Sequence, residues 1–288
     1  MLEGTQVDKL TDELARIVLA RVEKEKLIVP SLPATAERCM ATLKKPTFDA
    51  KKLVGQIEAD PVLAAMVLRE ATSAAHGSGV KVLEQAVARL GADRLRTIVT
   101  SYAAHALFES SDTRIRAANK RIWEHSIATA LLARDLAAFA GEIDGDLCYL
   151  AGLLHDVGKP VLGSMMLEAE RRIAGDQRWI DPVRWLSVIG TSHRPIGIAI
   201  ATKWALPAPV IAGIRDCSDY DGAERACAPN VVRLANAVAK REGFAAGAPP
   251  DDDVDAMIMV GRSMLGIDED VITRLAGNLK PRVAQITE

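Results

Sequence analysis

Two histidines and an aspartate hold most of the chemical potential of this 288-residue chain. His155-Asp156 stands at the end of an apolar helical run in which Leu147, Leu150, Ala151 and Leu154 keep core spacing, and Val157-Gly158-Lys159 follows. The dipeptide therefore emerges where a packed helix meets a turn. An imidazole nitrogen and a carboxylate adjacent in sequence can reach one metal ion beside that helix, and both suit borderline and hard divalent cations. His125 lies on the helix face of Leu132 and Leu136, which points its ring inward, where it needs a hydrogen-bond or metal partner. The plainer reading of a histidine on an apolar stripe is a core residue bonded to a neighbour, and this reading serves His105; His76 reads as an exposed loop residue. Lys159 can hold a phosphate as a point charge, or be a solvated lysine in favourable contact with a helix dipole.

Positioning these groups falls to helices. Apolar residues recur at helical spacing along the chain, and alternating runs rich in Val, Thr and aromatics are missing, so the expected fold is all-α. Residues 1–30 form an appended helix with Leu10, Leu14 and Ile17 on one face, ended by Val29-Pro30-Ser31-Leu32-Pro33. Residues 31–112 form an N-terminal helical lobe, with helices from about Ala34 to Leu43, from Asp49, and from Asp60-Pro61. At that last start an N-cap oxygen and a first-turn proline coincide. Gly77 and Gly79 punctuate its end, and Gly91 separates two further helices, the second lining up Leu95, Ile98, Tyr102 and His105. The turn-forming run Glu109–Thr113 marks a boundary. Residues 113–244 form a second helical group: Trp123 to Ala140, Leu147 to Val157, Ser192 to Trp204 capped by Ser192, and Ala228 to Lys240. Residues 245–288 supply a Pro-, Gly- and Asp-rich loop and two short amphipathic helices.

Composition narrows the function classes. Hydrophobic residues at 49% and charged residues at 26% describe a soluble globular protein. Lys+Arg 36 against Asp+Glu 38 gives a net charge of -2, so no global field draws the chain to phosphate polymers or anionic lipid. With aromatic residues at 4%, this argues against a nucleic-acid partner. The N-terminus lacks the pattern of a signal peptide, and the stretch Pro195–Ile214 contains Lys203, Pro207 and Pro209, which argues against a membrane span. A cytoplasmic protein is expected, with Cys39, Cys148, Cys217 and Cys227 as reduced thiols because they form no CxxC pair. No GxxxxGK[ST], GxGxxG or GxSxG sequence is present.

The spacing of His125 from His155-Asp156, inside Trp-Glu-His-Ser-Ile-Ala-Thr-Ala and Ala-Gly-Leu-Leu-His-Asp-Val-Gly-Lys, resembles the HD superfamily of metal-dependent phosphohydrolases. More particularly it resembles the HDOD branch, the HD-related output domains. Leu32-Pro33, Ile57-Glu58-Ala59-Asp60-Pro61-Val62-Leu63 and Ala88-Arg89-Leu90-Gly91 match that branch upstream. His193, Trp204-Ala205-Leu206-Pro207 and Arg233-Leu234-Ala235-Asn236 match it downstream, so the resemblance runs from about Ser31 to Lys240. It implies an HD-like helical bundle with an N-terminal helical lobe and a role in bacterial signal transduction. It also implies a divalent transition metal (Mn, Fe or Ni) at His125, His155 and Asp156, a signalling protein partner, and a nucleotide or phosphate ligand.

Departures from the family pattern bear on activity. The distant aspartate that completes the metal set in the active superfamily aligns with Asn236, a weak fourth ligand without charge, so metal is held less firmly. A His-His pair common in the branch is absent, because the chain reads Gly213-Ile214-Arg215-Asp216-Cys217-Ser218. His193 survives without its companions, Pro160 biases Lys159 away from helical geometry, and no Gly-Tyr-Pro signature occurs. Asp156 and Lys159 are the catalytic candidates, and Lys159 and His193 the ligand-binding ones. The expected function is a regulatory protein with a degenerate site that relays rather than catalyses; the alternative is a metal-dependent phosphohydrolase acting on a nucleotide or other phosphoester. The stripe of Leu10, Leu14 and Ile17 could dock a partner or pack on the protein's own body.

Overall fold

The computed structural model describes Arg16, Ala20 and residues 29–45, 47–72, 80–174, 189–190, 192–245 and 254–287. The stripe of Leu10, Leu14 and Ile17 lies outside the described residues, as do His76, Gly77, Gly79 and most of the 245–253 loop. Among the described residues all regular structure is helical, and none of the helices is long and apolar enough to cross a membrane. The cysteines are free, with Cys39, Cys148 and Cys217 buried and Cys227 half-buried.

Ser31–Ala106 forms one compact unit. Its helices are α1 (Ala34–Leu43), α2 (Ala50–Glu58), α3 (Pro61–Thr72) and α4 (Leu83–His105). Asp49 caps α2 by accepting from Lys52 N at 2.9 Å, and Asp60 Oδ1 accepts from Val62 N and Leu63 N at 3.0 Å each to cap α3. At Gly91, with φ 72° and ψ 174°, the chain takes a conformation that side chains rarely tolerate, so α4 is two helices meeting at a kink. The other three helices pack against α4.

The second compact unit contains the described residues from Leu107 onward, with Val29 and Pro30. Its helices are α5 (Thr113–Ala137), α6 (Gly145–Leu154), α7 (Gly158–Ala174), α8 (Arg194–Lys203), α9 (Ala208–Asp216), α10 (Ala228–Arg241), α11 (Val254–Leu265), α12 (Glu269–Gly277) and α13 (Leu279–Thr287). At the centre α5 lies along α6 and α10, α9 covers α6, and α8 bridges α7 and α9. From Ile122 to Leu132 every α5 residue except Glu124 is buried, and so is every α6 residue from Cys148 to Leu154. Each fully buried leucine among them contributes about 1.5–3 kcal/mol.

Several expected boundaries move. The helix expected from Trp123 begins at Thr113, because Ile115, Asn119 and Ile122 already face the core while Arg116, Lys120 and Arg121 sit between them. Ser192 makes no cap hydrogen bond; His193 is the N-cap residue of α8, and Arg194 and Pro195 open the helix. Three helices close the chain where two were expected, since Gly266 (φ 66°) and Asn278 each interrupt the run. Pro160 does not displace Lys159 from helical geometry: it sits in the first turn of α7, where its missing N–H has no intrahelical acceptor to serve.

Candidate metal centre

Three elements converge to build the site. Asp144 accepts from Asp146 N at 2.8 Å and Leu147 N at 3.1 Å, which starts α6 at a defined residue. The helix stops at Leu154, His155 follows as its C-cap, and a tight turn (Val157 N to Leu154 O 3.0 Å, Lys159 N to Asp156 O 2.9 Å) leads into α7. His125 comes from the buried stretch of α5, and His193 from the N-cap of α8. Gly152 allows the closest approach of α6 to α5: a Cβ there would stand 3.0 Å from Ala130 Cα and from Thr129 O.

His125, His155, Asp156 and His193 are all buried, at 1, 3, 3 and 5% exposure, so their polar atoms must find partners inside the cluster. His125 Nε2 and His155 Nε2 stand 3.2 Å apart, and each faces Asp156 Oδ2, at 3.6 and 3.3 Å respectively. Lys159 Nζ donates to the same oxygen at 2.6 Å. His193 Nε2 lies 3.1 Å from Asp156 Oδ1, the other oxygen of the same carboxylate. His155 Nδ1 donates to Gly152 O at 2.7 Å and His193 Nδ1 to Ile189 O at 3.0 Å, since a carbonyl can only accept. In their neutral forms both rings therefore present an Nε2 lone pair to the cluster.

Electrostatics follow from burial and proximity. Burial, reinforced by the positive charge of nearby His155 and Lys159, pushes His125 down to about 3, so its ring is neutral at physiological pH. Burial alone would raise the Asp156 carboxyl. The charges that His155 and Lys159 bring against it prevail and hold it well below the usual carboxylate range.

The donor set fits a metal ion. Ligand atoms about 2.0–2.2 Å from one cation lie roughly 3.0–3.5 Å from one another, and the His125, His155 and Asp156 atoms stand at 3.2–3.6 Å. His193 Nε2 stands against the other carboxylate oxygen, Asp156 Oδ1, and lies outside this three-residue set. Asn236 lies on α10, which packs on both α5 and α6; its Oδ1 is buried and makes no hydrogen bond to the cluster.

The HDOD domain profile matches residues 29–220, two thirds of the sequence. This chain belongs to the HDOD family. A relative from Treponema pallidum (strain Nichols), of uncharacterised function, is 28% identical over 223 residues, which is 73% of this chain and 40% of that one. Ribonuclease Y of Thermus thermophilus is 34% identical over 105 residues, 36% of this chain and 14% of the enzyme. The HDOD chain thus spans less than half the length of these relatives. Among solved structures, a candidate metal-dependent phosphohydrolase from Shewanella amazonensis SB2B superposes with a TM-score of 0.73 at 21% identity, covering 93% of this chain and 99% of its own. An HDOD protein of unknown function from Geobacter sulfurreducens superposes at 0.59 and 22% identity, covering 94% and 96%. A candidate signal transduction protein from Marinobacter aquaeolei VT8 does so at 0.63 and 23%, covering 97% of this chain and 65% of its own. These likenesses establish the HD-like helical fold.

Within that fold, four of the sequence candidates meet in one cluster with Lys159 at its edge. Sequence reasoning did not find the two backbone carbonyls, Gly152 O and Ile189 O, that set the histidine tautomers. Nor did it find the glycines that let the helices touch, of which the only sign was Gly158 directly after His-Asp-Val.

Proposed function

We propose that this HDOD protein is a regulatory module in signal transduction that keeps its buried histidine–aspartate pocket as a ligand-sensing feature and relays to a partner protein, without hydrolysing a substrate. The observation that carries this reading is the Asp156–Lys159 pair: the single carboxylate of the cluster is already answered by an ammonium group 2.6 Å from Oδ2. Imidazoles bring no negative charge, so Asp156 is the one anionic group that the cluster offers a dication. An arriving metal must compete with Lys159 for the same oxygen, and Asn236 adds no second charge. Modest affinity follows, which suits a reversible sensor better than a resident catalytic metal. The signal-transduction name of the Marinobacter aquaeolei protein is in keeping with this role, and a cytoplasmic setting is in keeping with four unpaired thiols.

A second reading, a phosphohydrolase acting on a nucleotide or other phosphoester, is favoured by the ligand-atom spacing. In it His125, His155 and Asp156, with Asn236 as a weak fourth, would hold a divalent transition metal, which supplies Lewis-acid polarisation of a phosphoryl oxygen. Lys159 would then hold the phosphate.

Calorimetric titration of the purified protein with Mn²⁺, Fe²⁺ and Ni²⁺, followed by a screen of nucleotides and phosphoesters, separates the two. The regulatory reading expects dissociation constants weaker than about 1 μM and no turnover. Tight binding together with turnover, both abolished in Asp156→Ala, would establish the hydrolase instead.

A further inference from the structure

One constraint on the cluster comes from a contact between two backbones. Gly158, the first residue of α7, lies against the peptide of His193. A Cβ on Gly158 would fall far inside contact distance of His193 O, 2.8 Å from His193 C and 3.0 Å from Gly197 N. These neighbours cannot move aside cheaply. His193 O accepts from Ile196 N and Gly197 N, both at 3.1 Å, so it is the acceptor that opens α8, and swinging it away would undo the helix's first turn. The His193 ring is held in turn by its Nδ1–H bond to Ile189 O.

Two contacts therefore depend on a single crossing. On one side Asp156 and Gly158 are two residues apart on the turn into α7; on the other, His193 offers its carbonyl to Gly158 and its Nε2 to Asp156 Oδ1. We propose that Gly158 is a positioning residue: by having no side chain it lets the start of α7 touch the start of α8, and this touch seats His193 against Asp156 Oδ1, where it supports the carboxylate that would hold a cation. The inference rests on reading His125, His155 and Asp156 as a cation pocket, and it makes the pocket's affinity depend on a position that contacts no ligand. Gly261 is a useful contrast. Gly261 lies on α11, and a Cβ there would overlap the Tyr220 hydroxyl and lie 2.8 Å from its Cζ, a clash with a side chain from the loop before α10 rather than with the backbone of His193.

The test uses the full chain and Ni²⁺ as probe. Gly158→Ala is expected to weaken Ni²⁺ binding roughly 10–100-fold, the range seen when support around a metal ligand is lost. His193→Ala should weaken it as much, and the double variant no further than His193→Ala alone, because the glycine acts through that ring. Gly261→Ala should lower Tm and leave Ni²⁺ affinity within about twofold. Additive losses in the double variant, or unchanged affinity in Gly158→Ala, overturn the inference even where wild type binds Ni²⁺ well. Should wild type take up no Ni²⁺, the cation-pocket reading fails, and positioning is read from the imidazole ¹⁵N resonances of the metal-free protein. Gly158→Ala must then shift His193 while leaving His125 in place, and an unmoved His193 overturns the inference. Where Gly158→Ala does not fold, His193→Gln reads the same contact from its other side, since it leaves the crossing intact and removes the ring held against Asp156 Oδ1. It should weaken Ni²⁺ binding roughly 10–100-fold; affinity within about twofold of wild type overturns the inference.

Discussion

Asp156 has an imidazole or ammonium nitrogen from each of four residues within 3.6 Å, and Lys159 brings the ammonium charge. Removing the carboxylate strands that charge, with the lysine side chain only 17% exposed. Asp156→Ala is therefore expected to lose about 3–5 kcal/mol of stability, the usual consequence of breaking a buried pair from one side. Asp156→Ala with Lys159→Met should recover a substantial part of it. Urea denaturation of both variants checks this, and a double variant no more stable than the single one would show that the pair contributes little. His125 and His155-Asp156 were legible as candidates because metal-ligand side chains stood on apolar helical stretches where a polar group needs a reason. The place of His193 was not legible, since it depends on the chain returning more than thirty residues later against a glycine, and local spacing does not encode that return.

At the level of elements, caps decide where helices start. Asp60 caps α3 through Oδ1 and accepts the Tyr102 hydroxyl on Oδ2, so one side chain ties the start of α3 to α4. Burial would raise its carboxyl, yet the Tyr102 hydroxyl and the Leu63 and Val62 N–H groups hold it below 3.8, while the same bond pushes Tyr102 up to about 12. Because the folded-state value is the lower one, the stability contributed by ionised Asp60 is fully present above the unfolded carboxylate range. It is lost as pH falls from about 4 through the folded value. Urea midpoints of wild type and Asp60→Asn should differ most at neutral pH and converge in acid; divergence in acid would contradict the assignment. Near pH 7, Asp60→Ala should cost about 0.5–2 kcal/mol, the range for a lost N-cap. Asn230 does comparable work before α10, accepting from Asp221 N at 2.7 Å and donating to Asp221 O and Arg225 O at 2.9 Å each. It is fully buried, so Asn230→Ala leaves backbone groups without partners, at about 1–3 kcal/mol for each group that water cannot reach. A fall in Tm of several degrees by calorimetry is expected, and an unchanged Tm would mean that water enters the loop.

At the scale of the molecule, the all-helical fold was readable from periodicity, and the missed segments share a physical cause. Basic residues between core positions disguised the first turns of α5. The α7 helix opens with Gly158-Lys159-Pro160, residues that read as a break when seen without their place in a first turn. Charge is the whole-molecule property that reads directly from sequence, and it yields a test of its own. A net charge of -2 supplies no long-range attraction for a polyanion, and binding single strands through stacking needs aromatic residues that this chain, at 4%, largely lacks. Duplex DNA and single-stranded RNA are therefore expected to show no retention by up to about 10 μM protein in roughly 150 mM salt. If a shift does appear, its salt dependence is decisive. Affinity falling steeply as salt rises means that several lysines and arginines release counterions together, hence that one face concentrates positive charge despite the balanced total. Such a face would make nucleic acid the ligand to test next at the histidine–aspartate pocket, in place of a protein relay.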